Sequence, residues 1–241
     1  MLLGELTWAE VEEYLARDDR LLLPVGSTEQ HGRHLPLDTD ASIAYAIAKE
    51  VGEATGVLVA PLLPYGVSLH HMAFPGTVSL KPSTLEALIL EILNSLHQHG
   101  FQRILIVNGH GGNIPSLQNG VATLLSQGQA PAVKIRSWWL EPEVKEMLDQ
   151  LLPPGGHASA GETSLSLALH PQRVKLERAR GGTERLKEPM ISLPPQRVRQ
   201  AYPNGNVGAD PALASREIGE KVWEKVVSLY IQEIEGWELS S

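Results

Sequence analysis

Three short apolar runs, at 21–25, 57–60 and 104–107 (the last led by Arg103), and a further strand-like run at 133–137 are interleaved with segments of helical periodicity. This alternation limits the chain to few architectures. A run of four or five apolar residues closed by a turn residue reads as a strand buried on both faces, and Pro61 closes the second run. Between them, 8–17 sets Val11, Tyr14 and Leu15 on one helical face behind Thr7 as N-cap, and 40–52 repeats Ile43, Ala46, Ile47 and Val51 at helix spacing. Ser83-Thr84-Leu85-Glu86 has the capping-box pattern and predicts a helix to about His99, closed by Gly100; a further helix is expected over 114–126. Strand and helix in this order predict a three-layer α/β/α fold around a largely parallel central sheet. Residues 142–211 are rich in Pro and Gly and read as loops and insertions on the same domain. Asp210-Pro211 is expected to supply the N-cap and first-turn proline of a long helix reaching about Glu235. The expectation is one domain over 1–241.

Composition narrows the chemistry. The chain has 241 residues and no cysteine, so disulfides, thiolate metal sites and a cysteine nucleophile are excluded. Any metal must be held by nitrogen and oxygen. With 20 Lys and Arg against 28 Asp and Glu the net charge is -8, which lacks the electrostatic footprint of a nucleic-acid binder. The stretch from Arg173 to Lys187 is broken by Glu177 and Glu184 and reads as a solvated face. No apolar segment approaches the ~20 residues of a membrane span. Residues 1–10 carry Glu5 and Glu10 without a basic leader, so the expected location is the cytoplasm. A small-molecule enzyme is the favoured class.

In an open α/β sheet, ligands bind beyond the carboxyl ends of the strands. The loop after the first strand, 26–40, holds Glu29, His31, His34, Asp38 and Asp40. The loop after the central strand reads Asn108-Gly109-His110-Gly111-Gly112-Asn113, and a third offers His157 and Glu162. Imidazole and carboxylate suit Zn²⁺, Mn²⁺ and related ions, and one carboxylate can bridge two of them. Glu29 and His31, two apart, point the same way in an extended segment. Surface loops have no reason to repeat such residues at one edge of a sheet.

These residues also carry a resemblance. Pro24-x-Gly26-Ser27-x-Glu29-Gln30-His31-Gly32-x-His34-Leu35-Pro36-Leu37-x-Thr39-Asp40 resembles the first motif of the creatininase (creatinine amidohydrolase) family. Phe74-Pro75-Gly76-Thr77, Asn108 to Asn113, and Gly161-Glu162-Thr163-Ser164 resemble its later motifs in the same order, so the similarity spans about 5–235. It implies the three-layer fold, two divalent metal ions per protomer (Zn²⁺ and/or Mn²⁺, with Fe²⁺ also accepted), hydrolysis of a non-peptide C–N amide bond, and a homo-oligomer, commonly a hexamer. It further implies Glu29, His31, Asp40 and His110 as metal ligands, with Asp40 bridging. Creatininase proper has a glutamate ligand two residues after the histidine matching His110, where this chain has Gly112. Glu162 is expected to complete the site instead. A tryptophan that closes over creatinine is replaced by Pro153 and Pro154, and Trp139, next to Trp138, is expected to cover the pocket. Relatives with the Gly-His-Gly-Gly-Asn version include a formamidopyrimidine deformylase and a mycofactocin-maturation peptidase, so the substrate expected is a cyclic amide or formamide rather than creatinine itself.

Two ions bridged by Asp40 would acidify a water for attack on the amide carbonyl. His157, with Glu162 the second member of the expected catalytic pair, would protonate the leaving nitrogen. Ser68, His71, Gly111 and Trp139 are the expected substrate contacts. His34 is expected to orient the first loop or to contact substrate, and His97, His99 and His170 to take no part. Trp223 and Tyr230, seven apart, read as helix-face packing or an oligomer contact. A serine hydrolase is disfavoured by the absence of a Gly-x-Ser-x-Gly elbow, and His-Glu-x-x-His is absent too. From another class, a non-catalytic metal-binding oligomer on the same fold is the competing reading, and a peptidase-like maturation enzyme competes within the family.

Overall fold

The computed structural model describes residues 1–128, 130–182, 184 and 186–238. Strands β1 (Arg20–Val25), β2 (Leu58–Val59), β3 (Arg103–Asn108) and β4 (Ala132–Ser137) form one parallel sheet in the order β2-β1-β3-β4. The register sets Leu22 beside Val59 on one side and Leu105 on the other. Successive residues of β1 face opposite layers, which is why the run is continuously apolar. Leu22 points into a cluster with Ile43, Ile47 and Val51 of α2 (Thr39–Thr55) and Val222, Val226 and Tyr230 of α8 (Arg216–Glu235). Leu21 and Leu23 join the opposite cluster, with Tyr14 of α1 (Trp8–Leu15), Leu85, Ile89 and Leu93 of α3 (Pro82–Gln98), and Leu117 and Leu124 of α4 (Ile114–Ser126). Each such buried side chain contributes about 1.5–3 kcal/mol relative to exposure. The three-layer α/β/α arrangement with a parallel sheet is therefore present.

Three local expectations need correction. The helix over 82–98 begins at Pro82, with Lys81 as N-cap and no side-chain cap, so the Ser83–Glu86 box does not form; a proline already set for the first turn starts the helix two residues earlier. Asp210 accepts from the Ala212 amide at 2.9 Å but caps only a short 3-10 turn, Pro211–Leu213; the long helix starts later, with Ser215 accepting from Ile218 N at 3.2 Å. The region 142–211 also holds three helices, α5 (Pro142–Leu151), α6 (Ala160–Leu169) and α7 (Pro195–Ala201). Of these, α6 is mostly buried, and Leu165 belongs to the same cluster as α2 and α8. Among the described residues no helix is long and apolar enough to cross a membrane.

The placement of α6 matters because it carries Glu162. Its partner α8 lies very close: a Cβ on Gly219 would stand 1.9 Å from the Ser164 carbonyl oxygen, and the Ser215 amide donates to Ser164 Oγ at 3.1 Å. Gly219→Ala must push the two helices apart. We expect a loss of about 1–3 kcal/mol in denaturant unfolding; an unchanged midpoint would show that this contact does not fix α6.

Candidate metal centre

The site forms where β1 and β3 end. After β1 the chain enters the loop holding Glu29 and His31 and turns into α2, whose first turn carries Asp40. After β3 comes His110, and Gly109 lets the start of α2 abut this strand end, since a Cβ there would stand 2.1 Å from the Asp40 carbonyl oxygen. Asn113 ties the loops together, accepting from Val67 N at 2.9 Å and donating to Gly26 O at 2.9 Å.

Two triplets of donor atoms share Asp40. Glu29, Asp40 and His110 form one, and His31, Asp40 and Glu162 the other, each with all its atoms within 4.8 Å of one another. Asp40 directs one oxygen to each side: Oδ1 lies 2.9 Å from His31 Nε2, and Oδ2 lies 2.9 Å from His110 Nδ1. Glu29 Oε1 is 3.3 Å from His110 Nδ1, and Glu162 Oε1 is 3.6 Å from His31 Nε2. A tetrahedral ion with bonds of about 2.0–2.2 Å separates its ligand atoms by about 3.3–3.6 Å, which the two glutamate spacings match, while the two Asp40 contacts are a few tenths of an ångström shorter. A third triplet, Glu29, His31 and His157, overlaps both.

The histidine tautomers follow from backbone carbonyls, which can only accept. His31 Nδ1 donates to Glu29 O at 3.1 Å and His110 Nε2 to Val67 O at 2.9 Å. Their other nitrogens therefore aim lone pairs at the Asp40 oxygens, as metal-ligating histidines held by outer hydrogen bonds do. Glu29 Oε1 and Asp40 Oδ2 are buried without a hydrogen-bond partner. Lone pairs facing lone pairs in a buried place are costly unless a cation lies between them.

The electrostatics agree. Burial pushes the Glu29 carboxyl up, yet His110 and His71 hold it well below the usual range. Burial disfavours charge on His31 and His110, yet Asp40 and Glu162 raise the first and Glu29 and Asp40 raise the second. Buried carboxylates thus draw positive charge to the ligand nitrogens, the demand that a divalent ion would meet while releasing protons.

The expected residues fall into three groups. Glu29, His31, Asp40, His110, His157 and Glu162 converge, and Glu162 is braced by the Ala158 amide, which donates to its Oε2 at 2.7 Å. His71, Gly111 and Trp139 line a cavity of about 580 Å³ above the centre, together with His70. Ser68 differs: it is fully buried, its hydroxyl 2.6 Å from Ser27 Oγ and 3.3 Å from His110 Nε2, and it is not among the residues lining that cavity. It contacts the back of a ligand imidazole. His34 contacts Thr163 Oγ1 at 2.8 Å, and burial lowers its pKa to about 4.

Sequence reasoning missed Gln30. Its amide nitrogen lies 2.9 Å from Gly205 O and 3.0 Å from His71 Nδ1, and its Oε1 accepts from Gly32 N at 3.0 Å. The Gln30 carbonyl accepts from His157 Nε2 at 2.7 Å, which leaves His157 Nδ1 facing the centre, 3.5 Å from Glu29 Oε1. Lying between two candidate ligands, with its neighbours both turned inward, was the one available signal.

Comparison with known proteins comes to the same place. The family model for creatininase, described as creatinine amidohydrolase, matches residues 4–234. The chain belongs to the creatininase family. It is 33% identical over 248 residues to the creatinine amidohydrolase of Pseudomonas putida, covering 94% of this chain and 93% of that protein. It is 37% identical over 227 residues to the mycofactocin precursor peptide peptidase of Mycolicibacterium smegmatis, covering 90% and 85%. A solved mutant creatininase of Zn-Zn type matches it with TM-score 0.84 and 33% identity over 97% of this chain and 96% of that one. As a creatininase-family hydrolase, this chain departs at Gly112, and the structure supplies a physical reason. A Cβ at 112 would stand 2.1 Å from Val67 O and 2.5 Å from His110 Nε2, so no side chain fits this backbone. Gly112→Glu should therefore not add a ligand. We expect it to displace His110 and weaken Zn²⁺ affinity about 10–100-fold in a competition titration; tighter binding would contradict this account.

Proposed function

We propose that this creatininase-family hydrolase is a metal-dependent amidohydrolase acting on a non-peptide C–N bond in a cyclic amide or formamide. The observation that carries the reading is the pair of donor triplets sharing Asp40 beneath a cavity. Glu29, Asp40 and His110 would hold one divalent ion and His31, Asp40 and Glu162 the other, in one domain over 1–241. The nitrogen and oxygen donors suit Zn²⁺ and Mn²⁺, and Fe²⁺ is compatible. Such ions act as Lewis acids, polarising an amide carbonyl and acidifying the attacking water.

The chain's own groups handle position and protons. Burial lowers the pKa of His157, so its ring begins neutral, with Nε2–H given to the Gln30 carbonyl and Nδ1 free. Nδ1 takes a proton from the water as its oxygen bonds to the carbonyl carbon, then gives it to the nitrogen as the C–N bond breaks. The rings of His31 and His71, with centroids 4.5 and 4.3 Å from that of His157, pack against it and limit its rotation. Gly111 brings backbone to the cavity wall beside the carbonyl, and Trp139 covers the substrate from the rim. Gln30 positions His157 and His71 rather than touching substrate.

A peptidase-like maturation activity is the second reading, favoured by the 37% identity to the M. smegmatis peptidase. A homo-oligomer, with a hexamer as the specific expectation, is part of the proposal. The test is a screen of cyclic amides, formamides and short peptides with Zn²⁺- or Mn²⁺-loaded protein, followed by His157→Ala on the best substrate. We expect turnover on a non-peptide amide, lost on chelation and restored by metal, and a drop of about 10²–10⁴-fold in His157→Ala with metal content retained. Cleavage of peptides alone would favour the second reading, and unchanged turnover in His157→Ala would remove it from the mechanism.

A further inference from the structure

The cavity above the centre is larger than its polar floor requires. At about 580 Å³ it lies within the ~300–1,000 Å³ range of sites that enclose a whole drug-sized ligand, whereas the donor groups engage only a scissile amide. Its outer wall is built from the consecutive stretch 139–152 and from a turn some forty residues further along the chain. Trp139 and Leu140 come from the turn after β4, Leu148 and Leu152 from α5 and its end, and Met190 and Ile191 from the turn Met190–Ser192. Leu140 and Ile191 are 58% and 49% exposed. A single exposed apolar side chain needs no explanation, but several converging on one cavity mark a ligand surface. The charged groups at this end, Lys145 and Asp149, are one helical turn apart and paired with each other, so neither is left to select a charged ligand.

We propose that this outer wall is a subsite for an uncharged apolar group, an aromatic ring or branched alkyl chain, carried on the amide substrate. The inference rests on the amidohydrolase reading and adds the substrate's chemical character to it. The substrate is amphiphilic, with its amide on the floor and its apolar arm between the α5 side and the 190–192 turn. Selectivity among amides then comes from Leu140, Leu148 and Ile191, while the donor triplets treat all amides alike.

Hydroxamates test this without turnover, because the hydroxamate head binds divalent metal and the arm can be varied. Calorimetric titration of the Zn²⁺-loaded protein compares acetohydroxamate, 3-phenylpropionohydroxamate and the monohydroxamate of succinate. We expect the phenyl arm to tighten Kd at least tenfold over acetohydroxamate and the carboxylate arm not to. The double variant Leu140→Asn, Ile191→Asn, both exposed positions, should reduce the phenyl advantage below threefold while leaving acetohydroxamate affinity unchanged. Equal affinity for acetohydroxamate and the phenyl compound in the unmodified protein overturns the subsite and spares the metal reading. A phenyl advantage that survives the double variant overturns this wall as its source. Failure of all three hydroxamates to bind overturns the metal reading and the subsite together.

Discussion

Asp40 is held on the first turn of α2, against the ends of two central strands, with its carboxylate oxygens directed to opposite sides and almost no solvent. A buried charge in such a position is tolerated only if compensating groups surround it. His31 and His110 answer it from either side. Their ring orientations are fixed in turn by carbonyls of Glu29 and Val67, and the glycine at 109 allows the approach of α2. The loop sequences at the end of the sheet are thus consequences of one requirement, a carboxylate shared by two clusters of donors.

The second requirement is that Glu162 reach this carboxylate from the opposite direction. Gly112 has no room for a side chain, and in the proposed centre the third loop supplies the oxygen. Glu162 is carried there by α6, which is pressed onto α8 at Gly219, and is braced by the Ala158 amide. Ala158 has φ of 50°, in the left-handed region that an alanine rarely adopts, and it sits between His157 and the start of α6. Backbone strain of this kind persists where the surroundings fix it, and here it sets the relation between His157 and Glu162.

The central layer was legible because β1 and β3 each carry four or five consecutive apolar residues, 21–25 and 104–107, a pattern that burial on both faces explains. The convergence of His31, Asp40 and His110 was legible too, since the loops after β1 and β3 carry them to one edge of the sheet, where such residues have no packing role. What the sequence hid has physical causes. Helix α6 is short and buries Thr163, Ser164 and Ser166 along with Ala160 and Leu165, so it has no clean apolar stripe to betray it between Pro-rich loops. Asp210-Pro211 and Ser215 offer two competing starts, and only the Ser215 contact with Ser164, 51 residues away, selects the second. Gln30 acts through Gly205, 175 residues distant, and Ser68 through Ser27 and His110; neither partnership leaves a local spacing to read.

The most direct test of this account is metal stoichiometry, measured by elemental mass spectrometry on unmodified protein and on Glu162→Gln, both loaded with Zn²⁺ and desalted. The account predicts about two ions per chain in the first and about one in the second, with the Glu29, Asp40 and His110 set still filled. Two ions retained in Glu162→Gln would show that a different group replaces the side chain missing at Gly112, and no ion in the unmodified protein would contradict the shared-carboxylate centre itself.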